Sequence, residues 1–356
     1  MPSKADQEFL LLLAHRGHLP VDVAKGIFAA LSSGQVLDHL LQSRAGLSTE
    51  DIARLRRTRA GEIPEIPGYE ILGKLGSGGT ADVFRARDRK TQRVIALKVL
   101  RPDMMRHGPT RAAFIGEARL LEKLQHPGLV AGMGVAKSGD VYFSRMELIE
   151  GRTLLELLDA GQAFSESVAL RIVLEVAEVL AYLASQNVIH RDVKPGNIML
   201  SSSGRTKMID LGFAGRPDEA PKDEETTVGT VQYLSPEQAR GGAAADMRGD
   251  IYSLGVTLFH LVVGRLPFES SDNREVLRMQ VMESLRSPEL KGRGLSHHLH
   301  YFIEKMMSKN LEARYQSWDE LMADIRGQIE GRESLDFTRD ASRRGGPGPG
   351  PAGGRR

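Results

Sequence analysis

The segment His190-Arg191-Asp192-Val193-Lys194-Pro195-Gly196-Asn197 lies between apolar Val188-Ile189 and Ile198-Met199-Leu200. Two cations, an acid and an amide set between apolar runs are costly to bury unless they are paired. Phosphoryl transfer needs this set. An acid accepts the substrate hydroxyl proton, a lysine neutralises the transferring phosphate, and an amide oxygen holds a metal. Thirteen residues past Asn197 stands Asp210, between Ile209 and Leu211 and followed by Gly212. An aspartate in such surroundings calls for a cation. Upstream, Gly76-Ser77-Gly78-Gly79-Thr80-Ala81-Asp82-Val83 reads as a glycine loop between two strands, where bare backbone N–H groups can approach phosphate oxygens. A dinucleotide fold needs a helix straight after such a loop. Here Val83-Phe84 continues as strand, so the loop is expected to lie over a nucleotide. Lys98 stands inside the apolar run Val94 to Leu100 and needs a buried anion, a phosphate or a carboxylate. Glu117, on a helical pattern ending at His126-Pro127, is the candidate carboxylate.

Taken together, residues 69 to about 328 resemble a eukaryotic-type (Hanks-type) serine/threonine protein kinase of the bacterial kind, with the motifs in the family's order and spacing. The resemblance implies ATP and Mg²⁺ as cofactors and a protein substrate with a serine or threonine acceptor. It implies that Leu75, Gly76, Ser77, Gly78, Gly79, Val83 and Ala96 line the nucleotide, with Met146 as gatekeeper and Glu147 and Leu148 as hinge. Lys98 is then expected on the α- and β-phosphates, paired with Glu117. Asp192 becomes the catalytic base, Lys194 the phosphate clamp, and Asn197 and Asp210 the metal ligands. Thr230, in Gly229-Thr230, is expected to hydrogen-bond Asp192 and Lys194. The order Asp-x-Lys-Pro-x-Asn is the serine/threonine form. Glu237, in Ser235-Pro236-Glu237, is expected to pair with Arg314, and Asp250 to anchor the catalytic-loop backbone.

Three positions depart from the family pattern. Ala81 replaces a third loop glycine, Leu211 a phenylalanine, and Ser235 an alanine; none removes a catalytic group. A scaffold without catalysis is disfavoured because Lys98, Glu117, Asp192, Asn197 and Asp210 are all present. A small-molecule phosphotransferase is disfavoured because Asp210 to Glu237 resembles a peptide-docking platform. Arg191 beside Asp192 can bind a phosphate on the activation loop, for which Thr226 and Thr227 are the expected acceptors. The acids Asp223-Glu224-Glu225 are expected to substitute in part for that phosphate.

These residues must be carried by a fold with strands first and helices later. The class is therefore α+β: a bilobal kinase fold with a β-rich amino-terminal lobe and a helical carboxy-terminal lobe, preceded by a small all-α bundle. The expected organisation is a helical bundle over 1–58, a linker over 59–68, the kinase domain over 69–330 and a disordered Gly/Pro/Arg-rich tail over 331–356. Pro64 and Pro67 make the linker an extended connection. The bundle carries a weak repeat: Leu12-Leu13 and Arg16-Gly17 return as Leu40-Leu41 and Arg44-Ala45 at an offset of 28 residues. It weakly resembles the paired helical repeats of secretion ATPases, without their ligand residues. A protein partner is expected for it.

The chain has 356 residues with 48 basic and 46 acidic side chains. Four of the arginines lie in 341–356, so the remainder is slightly acidic and a globally basic nucleic-acid binder is not expected. No cysteine is present, which rules out disulfides, thiol nucleophiles and Cys-ligated zinc. No apolar run reaches the roughly 18 residues of a membrane span. Phe9 to Ala14 lacks the features of a signal peptide, so a cytoplasmic location is expected. His297-His298-Leu299-His300 reads as helix surface.

Overall fold

Thr49 to Arg59 forms a helix because Ser48 caps it reciprocally. The Asp51 amide donates to Ser48 Oγ at 3.0 Å, and the Ser48 amide and hydroxyl donate back to Asp51 Oδ2 at 3.2 and 2.7 Å. This helix (α4) completes a set with α1 (Lys4–His15), α2 (Val21–Ser32) and α3 (Leu37–Ala45), which ends at left-handed Gly46. The four bury one apolar cluster that includes Phe9, Leu13, Ile27, Leu31, Leu40, Leu41 and Ile52. Each such side chain contributes about 1.5–3 kcal/mol by leaving water. Arg56 fastens three of the helices, donating to Asp38 at 2.6 Å and to Asp6 at 3.4 Å while stacking over the Phe9 ring at 5.0 Å.

The computed structural model describes residues 3–15, 18–59, 63–217, 231–241, 246–285 and 295–331. They fall into two units. The first comprises Met1–His107 and Val135–Leu148; the second comprises Gly108–Gly134 and the chain from Ile149 onward.

Besides the bundle, the first unit holds an antiparallel sheet. Its strands are β1 (Tyr69–Ser77), β2 (Ala81–Asp88), β3 (Val94–Leu100), β4 (Gly132–Ser138, its last residues) and β5 (Val141–Met146), in the order β1-β2-β3-β5-β4. Directly paired residues share a sheet face. The pairs Phe84↔Leu97, Ala86↔Ile95 and Val99↔Phe143 therefore mark one face, which forms an apolar cluster with Ile71. Ile63 and Ile66 join that cluster and are 6% and 1% exposed. The segment expected as a linker is thus a strap on the sheet. Its prolines keep it out of helix, while the two isoleucines bury their side chains against β-strand residues.

The second unit contains α5 (Gly108–Lys123), β6 (Gly151–Thr153), α6 (Leu154–Asp159) and α7 (Glu166–Ser185). It continues with β7 (Ile198–Ser201), β8 (Thr206–Met208), α8 (Pro236–Ala239), α9 (Met247–Val263), α10 (Asn273–Met282), α11 (His297–Met306) and α12 (Trp318–Ile329). Helix α9 is apolar nearly all round and correspondingly buried. At Gly255 an added Cβ would lie 2.7 Å from Met306, so glycine sets the close approach of α9 to α11. Among the described residues no helix is long and apolar enough to cross a membrane. The tail after Gly331 lies outside the described residues.

Candidate functional site

In the first unit, the register of β2, β3 and β5 gathers the expected nucleotide-lining residues. Val83 pairs with Lys98, Lys98 with Ser144, and Ala96 with Met146. These five side chains share the sheet face opposite the Ile63–Ile66 strap. Ser144 was not a sequence candidate. It is a buried polar residue directly across from Lys98, and its signal was the two-residue alternation along β5. Glu147 and Leu148 follow directly after β5, outside regular structure. The loop between β1 and β2 is closed by the Gly78 amide donating to Ala81 O at 2.8 Å. Leu75, Gly76, Ser77, Gly78 and Gly79 are all exposed, and nothing lies within 4 Å of a Cβ added at Gly76 or Gly79. Its backbone is therefore open to a phosphate, which is what a cradle of N–H groups requires.

In the second unit, the sheet β6-β7-β8 holds the short 3-10 turn Pro195–Asn197 just before β7. Asn197 Nδ2 donates to the Asp192 carbonyl at 2.9 Å and to Asp192 Oδ2 at 2.8 Å. Lys194 Nζ lies 2.8 Å from the same oxygen. Among the described residues both of these side-chain bonds fall on Oδ2. Asp192 is 8% exposed. Burial raises its pKa, opposed by Lys194 and Asn197, which stabilise the carboxylate. His190 is fully buried, which lowers its pKa and keeps the imidazole neutral; its Nδ1 accepts from the Asp192 amide at 3.2 Å.

Asp250, at the start of α9, accepts the His190 and Arg191 amides at 2.8 Å each, the anchoring role the resemblance implied. The anchor has mechanical work to do, because Arg191 sits at φ 66°, a left-handed conformation that side chains disfavour. A second clamp comes from Ser235. Its side chain caps α8 reciprocally with Gln238, and Gln238 Nε2 then donates to the Arg191 carbonyl at 2.9 Å. The departure from alanine at 235 thus supplies a cap. Leu211 is wholly buried. Glu237 and Arg314 form the expected pair, with two parallel bonds of 2.7 and 2.9 Å.

The fit to a divalent cation rests on the donor set. Asn197 spends its amide nitrogen on Asp192, which leaves the oxygen as its acceptor end. One Asp210 oxygen, Oδ1, accepts the Gly212 amide at 2.7 Å, and a Cβ at Gly212 would stand 3.0 Å from it and 3.7 Å from Glu117 Oε2. The bare glycine therefore keeps room beside two carboxylates. An amide oxygen and a carboxylate suit Mg²⁺, which takes few protein ligands and completes its shell with water and phosphate. These residues fit the group. Among the described residues no cluster of three or more His, Asp or Glu has metal-site geometry, and the histidines of α11 are no exception. Pairing of Lys98 with Glu117 joins residues of different units and stays a proposal. Thr230, Gly229, Thr226, Thr227 and the acids at 223–225 lie outside the described residues.

Residues 69–324 match the family model described as protein kinase domain. The chain is 35% identical over 263 residues to serine/threonine-protein kinase PknB of Mycobacterium leprae, covering 72% of this chain and 42% of that protein. It is 34% identical over 274 residues to a probable serine/threonine-protein kinase of Streptomyces coelicolor, covering 74% and 40%. It is 32% identical over 259 residues to serine/threonine-protein kinase PrkC of Bacillus subtilis, covering 72% and 40%. The match thus spans less than half the length of these relatives.

Proposed function

The chain belongs to the protein kinase family, in its serine/threonine class, and on that premise we propose that it transfers the γ-phosphate of ATP to serine and threonine hydroxyls of proteins, its own Thr226 or Thr227 among them. The observation that carries this reading is the buried triad of Asp192, Lys194 and Asn197, in which an ammonium and an amide group converge on Oδ2 of one carboxylate. Asp192 orients the acceptor hydroxyl and takes its proton. Lys194, 2.8 Å from the carboxylate, keeps it anionic in a buried setting and extends positive charge toward the phosphate oxygens. Asn197 and Asp210 would hold Mg²⁺, and Lys98, which the family resemblance pairs with Glu117, would hold the nucleotide. The bound Mg²⁺–ATP supplies the transferable phosphoryl group and the charge neutralisation that the protein lacks. Gly76 to Gly79 cover the phosphates with backbone N–H groups, and Val83, Ala96 and Met146 offer an apolar bed for the base. By the family resemblance Thr230 would favour an aliphatic acceptor hydroxyl.

Positioning and electrostatics supply most of the rate in such transfers. Asp192→Asn is therefore expected to abolish transfer to a threonine peptide while leaving ATP binding within twofold or so, since the amide keeps the shape and loses the base. Equal turnover by variant and wild type would refute the assignment. For α1–α4 we propose a protein-docking role, supported by the exposed apolar side chains of Leu11, Val21, Phe28 and Val36.

A further inference from the structure

The turn Val231–Tyr233 directly follows Thr230 and precedes α8, so on the proposed function it underlies the acceptor peptide. Two of its carbonyls are taken by buried side chains of other elements. Ser253 Oγ, on α9, donates to Tyr233 O at 2.7 Å, and Gln280 Nε2, on α10, donates to Gln232 O at 2.5 Å. The Tyr233 hydroxyl meets His260 Nδ1 at 2.8 Å.

Gln280 is wholly buried, an expensive place for an amide unless both ends are satisfied. Both are. Its Oε1 accepts the Tyr252 hydroxyl at 2.5 Å. Lys309 Nζ then donates to that hydroxyl at 2.7 Å and to the Gln280 carbonyl at 2.6 Å, over the Phe268 ring at 4.5 Å. The Tyr252 ring in turn lies under the Arg314 guanidinium at 5.0 Å, and Arg314 holds Glu237 at the start of α8. A buried chain of contacts therefore runs from the Glu237–Arg314 pair through the Tyr252 ring, its hydroxyl braced by Lys309, and Gln280 to one backbone atom, Gln232 O. A methionine or leucine would fill the Gln280 position without desolvating an amide. What the glutamine adds is the grip on Gln232.

We infer that Gln280, braced by Tyr252 and Lys309, is a positioning residue for the phosphoacceptor: it fixes the backbone of the 231–233 turn and thereby the seat of the substrate peptide. The inference rests on the protein-kinase reading above. Because the contact is to main chain, it acts whatever side chains the segment before it carries.

The test uses the full chain and one threonine peptide, chosen from a randomised peptide array with the wild-type enzyme. Steady-state kinetics are measured for wild type, Gln280→Met and the isosteric Gln280→Glu, which turns the donor facing Gln232 O into an acceptor. Hydrogen exchange of residues 231–234 is followed in parallel. Losing one buried hydrogen bond is expected to raise peptide KM by roughly fivefold or more and to speed exchange at the turn. KM for ATP and kcat at saturating peptide are expected to stay within about twofold. A merely structural role would instead lower kcat and thermal stability without separating the two KM values, and that result overturns the inference. So does an active wild type whose peptide KM is unmoved in both variants. A wild type that phosphorylates no peptide in the array refutes the protein-kinase reading itself, and the inference falls with it.

Discussion

Glu237→Gln is the substitution whose cost the structure specifies best. The Arg314 side chain is 0% exposed and makes four bonds: two to Glu237, one to Ser308 O at 2.6 Å and one to Arg248 O at 2.9 Å. The glutamine keeps the shape and removes the charge, so Arg314 stays buried with two carbonyls and no counter-ion. Breaking one side of a buried pair costs about 3–5 kcal/mol. Glu237 keeps 15% of its side chain in solvent, which favours the lower end, about 3 kcal/mol. For a domain of this size, 1 kcal/mol moves Tm by roughly 2–4 °C, so a fall of about 6–12 °C is expected in calorimetry at pH 7. Burial would raise the Glu237 pKa, but the Arg314 bonds and charge outweigh it and hold it below its ordinary value. A depressed carboxylate pKa contributes stability that is complete above the unfolded value of about 4.5 and is lost as pH falls through the lower folded value. Wild type and variant should therefore converge in that acidic window. Arg314→Met added to Glu237→Gln should recover part of the loss, with a coupling of at least about 1 kcal/mol. A Tm shift under about 2 °C at pH 7, or additive costs, would refute the argument.

Gly212→Ala places a methyl 3.0 Å from Asp210 Oδ1, and kcat is expected to fall by about 10–100-fold with a raised Mg²⁺ requirement; an unchanged Mg²⁺ titration would count against Asp210 as a ligand. Ile66→Ala removes a side chain that is 1% exposed on the sheet, at an expected cost of about 2–4 kcal/mol by denaturant unfolding, whereas a free linker would tolerate it. His190 is held neutral by burial, so its folded pKa lies below its unfolded one and stability should fall as pH drops through 6.5 toward the folded value. His190→Gln should flatten the fall in Tm between about pH 7.5 and 5, and an identical slope would contradict the assignment.

Much of the site was readable because the chemistry is local. Asp192, Lys194 and Asn197 lie within six residues, and one 3-10 turn suffices to fold them onto each other. The β-run around Lys98 was equally plain, since alternation along Val94 to Leu100 assigns the faces. What escaped the sequence was non-local. Ser144 joins Lys98 only through a strand pairing across forty-six residues, and Gln280 reaches Gln232 from a separate helix. Ser144 is marked only by the two-residue alternation along β5, and Gln280 has no spacing signature. The packing of the 63–66 segment was not legible for another reason. Its prolines speak of an extended backbone and say nothing of where two isoleucines go, and the sheet offered them an apolar face. Ser235 looked like a mere departure until its capping bonds to Gln238 gave it a function in holding Arg191.

The most direct test of the central claim is incubation of the full chain with Mg²⁺ and γ-labelled ATP beside Asp192→Asn, followed by mass-spectrometric mapping of phosphosites. Label on Thr226 or Thr227 and on an added threonine peptide, in wild type only, is the expected result. Equal labelling of the variant, or ATP binding by wild type with transfer to no hydroxyl, would contradict the role given to Asp192 and to the site built around it.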